Sequence, residues 1–594
     1  MTLTANLTHL ESVGLVRLAA ARPELAYLFR HVLIQDAAYH SLLKADRRVL
    51  HQLIGETLEQ LYPVQLDELA PVLAQHFAAA GDEARALKYF TQAGDEALRV
   101  YANTEAAQHY ARAINLAKAA SFAVEPSQGL QHLYLRRGRA LELLSRYEDA
   151  LVHYADMEAW ATAHGDRALE LQALMAAATI RTTANWMHDP AQGQTLLTRA
   201  RSLAHELNNR AAEAKILWNL LLLGTLTNMP LDERIAYGEQ GLALARELNL
   251  REQQAYILSD IWYVYANAGQ WERAKASLQE AAVLARELQN YPMLAENLHR
   301  IMASELPLGN FESAIRHSDE AFQLSCASGN VDGQANSLAM VGIAYGELGQ
   351  VDEAMRAMQE AMTLGAPTQN VTSQGGAQAE LGWLYGWLGE VERGIATAQR
   401  ARAFTEKVFP FIAPWPLAIL AQLHIQKGEL AAAEKILNAL GHYQKQKLNI
   451  GFIAAAWSRL AIAAGELMFA KGDDAQTIAL MDEFVADMRA DGVRLFQADA
   501  LHLKSRALLR QGRTAEAYAT LQEARAVAEA ITSRRSLWQI LAALSHLEQQ
   551  RGNVNEAQAL RQQAREVSAF IAGHCPPEWR EMFWTLSAVK AATS

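Results

Sequence analysis

"AYGELGQVDEAMRAMQEAMTLG", residues 344–365, is the stretch whose reading decides the fold. Gly349 divides two helix-forming runs, as suits a residue asked to take a left-handed or tight-turn conformation between helices. Ala354 follows five residues later and Ala361 seven after that, two turns along one helical face. Small side chains there let a neighbouring helix approach closely. The segment therefore reads as the end of one helix, a turn, and a second helix packed back on the first.

The same wording returns on either side. "YANAGQWERAKASLQEAAVLAREL" (265–288), "ASELPLGNFESAIRHSDEAFQLS" (303–325) and "LYGWLGEVERGIATAQRARAFTE" (384–406) put Gly269, Gly309, Gly349 and Gly389 at successive steps of 40. Gly428, Gly472, Gly512 and Gly552 continue at steps of 39, 44, 40 and 40. The small positions recur with them, as Ala274, Ala314 and Gly394, then Ala281, Ala321 and Ala401. Self-similarity at such a period marks stacked supersecondary units, none of which can bury its apolar face alone. Pro292, Pro367, Pro414 and Pro416 fall between units or near helix starts, where a missing N–H costs little. No stretch outside the N-terminus alternates for long at period two. The expected fold is all-α, antiparallel helix pairs stacked into a solenoid, each stabilised by its nearest neighbours.

With an aromatic four residues before the glycine at Tyr265, Tyr345 and Tyr385, the pattern resembles the tetratricopeptide repeat. That repeat is ordinarily 34 residues long, so six more lengthen each helix by about three residues, roughly 4.5 Å. Glu305 stands in place of the aromatic in one unit, and Arg234 in place of the first small residue in another. A unit of ordinary length, "LDELAPVLAQHFAAAGDEARALKYFTQAG" (66–94), has Phe77, Gly81, Ala86, Phe90 and Ala93 in the same roles. The resemblance covers most of residues 66–570, about a dozen helix pairs, and implies a right-handed superhelix like the sensor arms of bacterial signalling proteins.

The chain has 594 residues with 65 acidic against 54 basic side chains, a net charge of -11. A protein that displaces counterions from phosphate backbones carries the opposite excess, so nucleic acid is not the expected partner. Cys326 and Cys575 are the only cysteines, which excludes a disulfide framework and fits a reducing compartment. The N-terminus lacks a basic start followed by an apolar core, and "ILWNLLLLGTL" is too short to span a bilayer. A cytoplasmic protein without membrane contact is expected.

The beginning differs from the rest. "LTHLESVGLV" reads as a short amphipathic helix, "RLAAARPELAYLFRH" as a hairpin turning near Pro23, and "VLIQDAAYHSLL" as a helix with Leu33, Ala37 and Leu42 on one face. Helix, two-stranded wing and helix are the latter part of a winged-helix domain. "YLFRHVLIQDAAYHSLL" (27–43) and "YANTEAAQHYARAINLA" (101–117) resemble the region that follows the nucleotide-binding module in signal-transduction ATPases with numerous domains. They are especially similar to bacterial proteins that join a class III adenylate or guanylate cyclase, an ATPase and a tetratricopeptide arm. In related ATPases a Met-His-Asp motif at this place lets the histidine read a bound ADP phosphate. The aligned triplet here is Arg30, His31 and Val32, with Val32 departing from the Asp. The resemblance makes His31 and Arg30 candidates for sensing nucleotide held by a partner chain; the plain reading of His31 is a cap or packing residue beside the next helix.

Reaction chemistry is not found. A phosphate cradle needs G-x-x-x-x-G-K-[ST], and no Gly-Lys dipeptide occurs. There is no H-E-x-x-H, G-x-S-x-G or C-x-x-C, and no strand-rich segment to carry the paired aspartates of a cyclase. His574 and Cys575 beside two prolines make a poor metal pair, and Asp473-Asp474 sits at an inter-helix turn, where a helix start explains it. No catalytic residue, cofactor or metal is expected.

What remains is a groove. In tetratricopeptide superhelices the first helix of each pair lines the inner surface, and that register places Tyr256, Tyr263, His299, Trp383 and Trp415 there as ligand candidates. The bland reading of such aromatics is inter-repeat core. Trp579, Phe583 and Trp584 belong to a final amphipathic helix expected to cover the last repeat, since a solenoid end must be capped. The expected organisation is a partial winged-helix region (1–62), first repeat-like helices and junction (63–120), the long-repeat superhelix (121–570) and a capping helix (571–594). The leading functional expectation is a non-enzymatic sensor and protein-interaction arm of a cyclase-linked signalling ATPase, which binds a protein or small effector in its groove. The alternatives are a free-standing scaffold for peptide segments and a regulatory piece of a cyclase–ATPase without its catalytic domains.

Overall fold

The computed structural model describes residues 3–20, 26–119, 126–183, 185–227, 229–441, 451–586 and 589–590. Among them the chain forms twenty-nine α-helices and one antiparallel hairpin, Val16–Ala20 with Ala26–Phe29. The turn expected near Pro23 lies outside the described residues, as do residues 120–125. The chain divides into two compact units, Met1–Ala173 and Leu174–Ser594.

The forty-residue period is a helix–turn–helix period. All eight glycines of the series have positive φ, from 70° at Gly269 to 100° at Gly389, so each closes its turn where a Cβ would be strained. A second left-handed residue lies halfway between them, at Asn249, Gln289, Gly329 and Gln369, then Gly492 and Thr532. Most junctions in these repeats thus bend through a positive φ, although only alternate ones show it as a regular glycine spacing; the junction at Phe409, with φ of -149°, is an exception. The first helices are capped by side chains of repeating type: Asn290 accepts from the Met293 amide at 3.2 Å, Asn330 from Gly333 at 3.0 Å and Asn370 from Ser373 at 2.9 Å. Each such cap satisfies one of the orphan amides of a helix start.

Close approach explains the small residues. A Cβ on Gly382 would lie 2.9 Å from the Gly394 carbonyl oxygen, so helices Gln378–Trp387 and Val391–Val408 touch backbone to backbone. Ala274, Ala314, Ala354, Ala361 and Ala401 are all buried. On the outer surface, exposed pairs such as Arg246–Glu280 and Arg286–Glu320 link successive second helices. Each contributes a fraction of a kcal/mol at most.

In the second unit the array departs from a nearest-neighbour solenoid, because its later repeats return to touch earlier ones. The Arg494 and Leu495 amides both donate to the Pro307 carbonyl, at 2.8 and 3.0 Å, and the Asp352 amide donates to the His574 carbonyl at 2.8 Å. A Cβ on Gly349 would lie 2.9 Å from the Ile571 side chain. The helix Pro577–Thr585 buries Trp579 and Phe583 against Tyr385 and Trp387, with ring centroids 5.1 and 5.7 Å apart, while Trp584 stays partly exposed. The final helix therefore covers a repeat nearly two hundred residues earlier, as well as packing on Val554–Gly573. The physical reason is the accumulated rotation per repeat, which closes the spiral tightly enough for adjacent turns to share a core.

In the first unit, helix Lys44–Leu61 packs on Leu66–Ala80 through Gly55, whose Cβ would fall 2.7 Å from the Phe77 ring. Helix Val32–Ser41 precedes it and has no buried residue. Tyr39 reaches His51, and His51 Nδ1 meets His76 Nδ1 at 2.9 Å, which ties these three helices together.

Candidate functional site

His31 is the N-cap of helix Val32–Ser41, its Nδ1 accepting the Leu33 amide at 3.2 Å. Arg30 is exposed, and its amide donates to the Leu15 carbonyl at 3.0 Å across the hairpin. The geometry of His31 is thus that of a cap, with its other nitrogen turned to an exposed surface.

The groove candidates separate into two clusters. Tyr256 and Tyr263 stand on helix Arg251–Asn267, and His299 on the next first helix, Tyr291–Glu305. Between them lies a polar array that composition alone did not single out. Trp218 donates its indole N–H to Asp260 at 2.6 Å, Asp260 pairs with Arg300 at 2.7 Å, and Arg300 also pairs with Glu296 at 2.7 Å. Tyr256 packs on Trp218 with centroids 5.2 Å apart, and Tyr263 on Trp262 at 4.3 Å. His299 Nε2 meets the buried Ser337 hydroxyl at 2.5 Å. Burial first, and then Arg300, pushes the His299 imidazole down to about 4 despite nearby Glu296, so it is neutral at physiological pH. Tyr256, Tyr263 and His299 are half-buried and Glu296 is exposed, so the face is reachable from solvent. The face presents aromatic rings, one neutral imidazole and an Asp–Arg–Glu row.

Trp383 and Trp415 lie elsewhere. Trp415 is fully buried beneath Gly376, where a Cβ would sit 3.0 Å from its ring, and its indole N–H donates to Glu380 at 2.7 Å. The π-helical turn Thr372–Ala377 carries that glycine and makes room for the ring. Glu380 in turn pairs with Arg459, both nearly inaccessible. Arg459 and Arg535 lie over Trp383 with their guanidinium carbons 4.2 and 5.3 Å from its ring, and Phe496 meets the same two cations. Closure of the turn fills the inner face at this level with side chains from four helices and with Phe496, which takes Trp415 off any accessible surface and leaves Trp383 half-buried against the core.

Beyond that plug a further polar group was also missed. Gln422 donates to Glu466 at 3.3 Å, and His502 and Arg506 lie nearby. Burial pushes Glu466 up to about 7, and pushes His502 down to about 4. The available signal was a charge at corresponding places one repeat apart in otherwise apolar helices: Asp260 and Arg300, Arg459 and Asp499, Glu466 and Arg506, each separated by 40.

Among the described residues no group of three or more His, Cys, Asp or Glu could hold a metal, and no helix is long and apolar enough to cross a membrane.

No protein-family model matches the chain. No curated protein matches it either. Among solved structures it is similar to the anaphase-promoting complex hetero-tetramer Cut9–Hcn1, at 16% identity over 93% of this chain and 95% of that one, with a TM-score of 0.44. It is also similar to the Pyrococcus horikoshii protein PH0952, a signal-transduction ATPase with numerous domains and a tetratricopeptide repeat sensor. There the identity is 13% over 69% of this chain and 59% of that one, with a TM-score of 0.37. Yeast Tom70 gives 13% identity over 86% and 96%, with a TM-score of 0.29.

Proposed function

We propose that the protein is a non-enzymatic sensor and protein-interaction arm of a signalling-ATPase system of the cyclase-linked kind, working in the cytoplasm. The N-terminal helices dock on the nucleotide-binding module of that ATPase, and the inner face around Tyr256, Tyr263 and His299 takes a protein segment or small effector.

The observation that carries this reading is an exposed aliphatic surface. Leu33 on helix Val32–Ser41 is 67% exposed, Leu43 at the cap of the next helix 72%, and Val49 and Leu53 on helix Lys44–Leu61 68% and 58%, although that second helix packs on Leu66–Ala80. Contiguous apolar patches of this kind mark interaction sites. The phrase at 27–43, which resembles the segment following the nucleotide-binding module in such ATPases, runs directly into this surface.

The test is co-elution of the full chain with the nucleotide-binding ATPase encoded beside it, in ADP, in ATP and without nucleotide. Association that a Leu33→Glu, Leu53→Glu variant abolishes, with unfolding of the repeats unchanged, supports the reading. Absence of association in every nucleotide condition overturns it.

A further inference from the structure

Where later repeats return to earlier ones, the second unit forms an open surface cleft of about 500 Å3. That is within the usual range for a small-molecule site. It lies outside the inner face, between the helix pair Phe311–Ala327/Val331–Glu347 and the helices Arg534–Gln550 and Val554–Gly573. Its apolar lining is Ile315, Tyr345, Leu348 and Phe570.

Two cations face this lining. Arg316 is exposed and makes no hydrogen bond or ion pair among the described residues. Arg534 lies on the Phe570 ring at 4.1 Å and spends one N–H on the Leu348 carbonyl at 3.2 Å, which leaves its remaining donors for the cleft. Glu312 is the single carboxylate in the lining, against the two arginines, while Asp319 and Glu353 act on Tyr345. Tyr345 differs from its counterparts in neighbouring repeats. Tyr265 and Tyr385 each meet an arginine, Arg273 and Arg393, whereas the corresponding place opposite Tyr345 holds Glu353. The Tyr345 phenol, raised above its ordinary value first by burial and then by Asp319 and Glu353, stays protonated and can donate.

We propose that this inter-turn cleft binds a small organic carboxylate with an apolar body, the carboxylate between Arg316 and Arg534 and the body against Tyr345, Leu348 and Phe570. The pocket belongs to both turns, so the ligand clamps them together. The site is independent of the docking surface and the inner-face site proposed above.

The chain supplies its own reporter. Cys575 is buried one residue beyond His574, whose carbonyl joins the turns, and burial pushes its thiol up to about 12; Cys326 is exposed. Slow labelling of Cys575 by a disulfide reagent therefore reads opening of this interface.

Full-length protein is titrated with 4-phenylbutanoate and, in parallel, with the neutral 4-phenylbutanamide, by calorimetry and by the Cys575 labelling rate. The carboxylate is expected to bind at least tenfold more tightly than the amide and to slow Cys575 labelling at least threefold. Arg316→Gln, at an exposed position without partners, should remove the tenfold preference while leaving the melting temperature in place. Phe570→Leu should weaken acid and amide alike. Equal affinity for acid and amide, no binding at millimolar concentration, or a preference that survives Arg316→Gln and Arg534→Gln overturns the proposal.

Discussion

Arg535 donates from Nε to Glu347 at 2.7 Å across 188 residues of sequence, and its two terminal nitrogens hold Asp499 at 2.8 and 2.6 Å. Ser533 adds a hydrogen bond to the other Glu347 oxygen at 2.6 Å. Helices one turn of the spiral apart are thus joined through a buried guanidinium bonded from all three of its nitrogens rather than through the chain between them. This latch stands beside the Trp383 plug and fixes how tightly the second unit closes.

Arg535→Ala strands the buried Glu347 carboxylate and removes the partner of the less buried Asp499. Breaking one partner of a buried pair costs about 3–5 kcal/mol. Equilibrium unfolding should show a loss of that size and faster Cys575 labelling, whereas Arg246→Ala on the exposed surface should cost less than about 1 kcal/mol. Equal small effects at the two sites would refute the latch.

Thr532 has φ of 56°, in the left-handed region that its branched Cβ opposes, at a position where the corresponding residue of another repeat is Gly329. Relief of that strain is worth about 1–2 kcal/mol, offset in part by the greater freedom of an unfolded glycine. Thr532→Gly is expected to raise stability by about 1 kcal/mol in denaturant titrations. A loss of stability would mean the turn is not left-handed.

Glu466, pushed up to about 7 by burial from its ordinary 4.5, favours the folded state most when protonated. That contribution is complete below about pH 4.5 and is lost as pH rises through 7. Glu466→Gln should match the parent near pH 4 and exceed it by on the order of 2 kcal/mol at pH 8. His299 and His502, pushed down to about 4, act in the opposite sense, removing stability as pH falls below 6.5. Unfolding midpoints of parent and variant across pH 4–8 measure the difference; a constant offset would contradict the assignment.

Ala354 is completely buried, and the helix bearing it packs closely enough that a Cβ on Gly342 would lie 3.3 Å from the Ala354 carbonyl oxygen. Ala354→Leu overpacks that contact and should cost on the order of 1–3 kcal/mol. Unchanged thermal and denaturant stability would show that the repeat register is misplaced.

The forty-residue glycine series was enough to read helix pairs, their turns and the small residues at their contacts, because each of those is a local demand: φ above zero, or a missing side chain where two backbones meet. The intervening turns at Gln289, Gln369 and Thr532 were illegible, since residues that merely tolerate the left-handed region carry no mark of it. The cap at His31 was among the readings its place allowed, while Tyr256, Tyr263 and His299 stand half-buried on neighbouring first helices. What only the tertiary structure decided is which inward residues remain reachable. A small rotation at each junction adds up over about five repeats, and that sum, which no single repeat encodes legibly, sends Trp415 into the core, wedges Trp383 under Arg459 and Arg535, and opens an arginine-lined cleft between turns far apart in the chain.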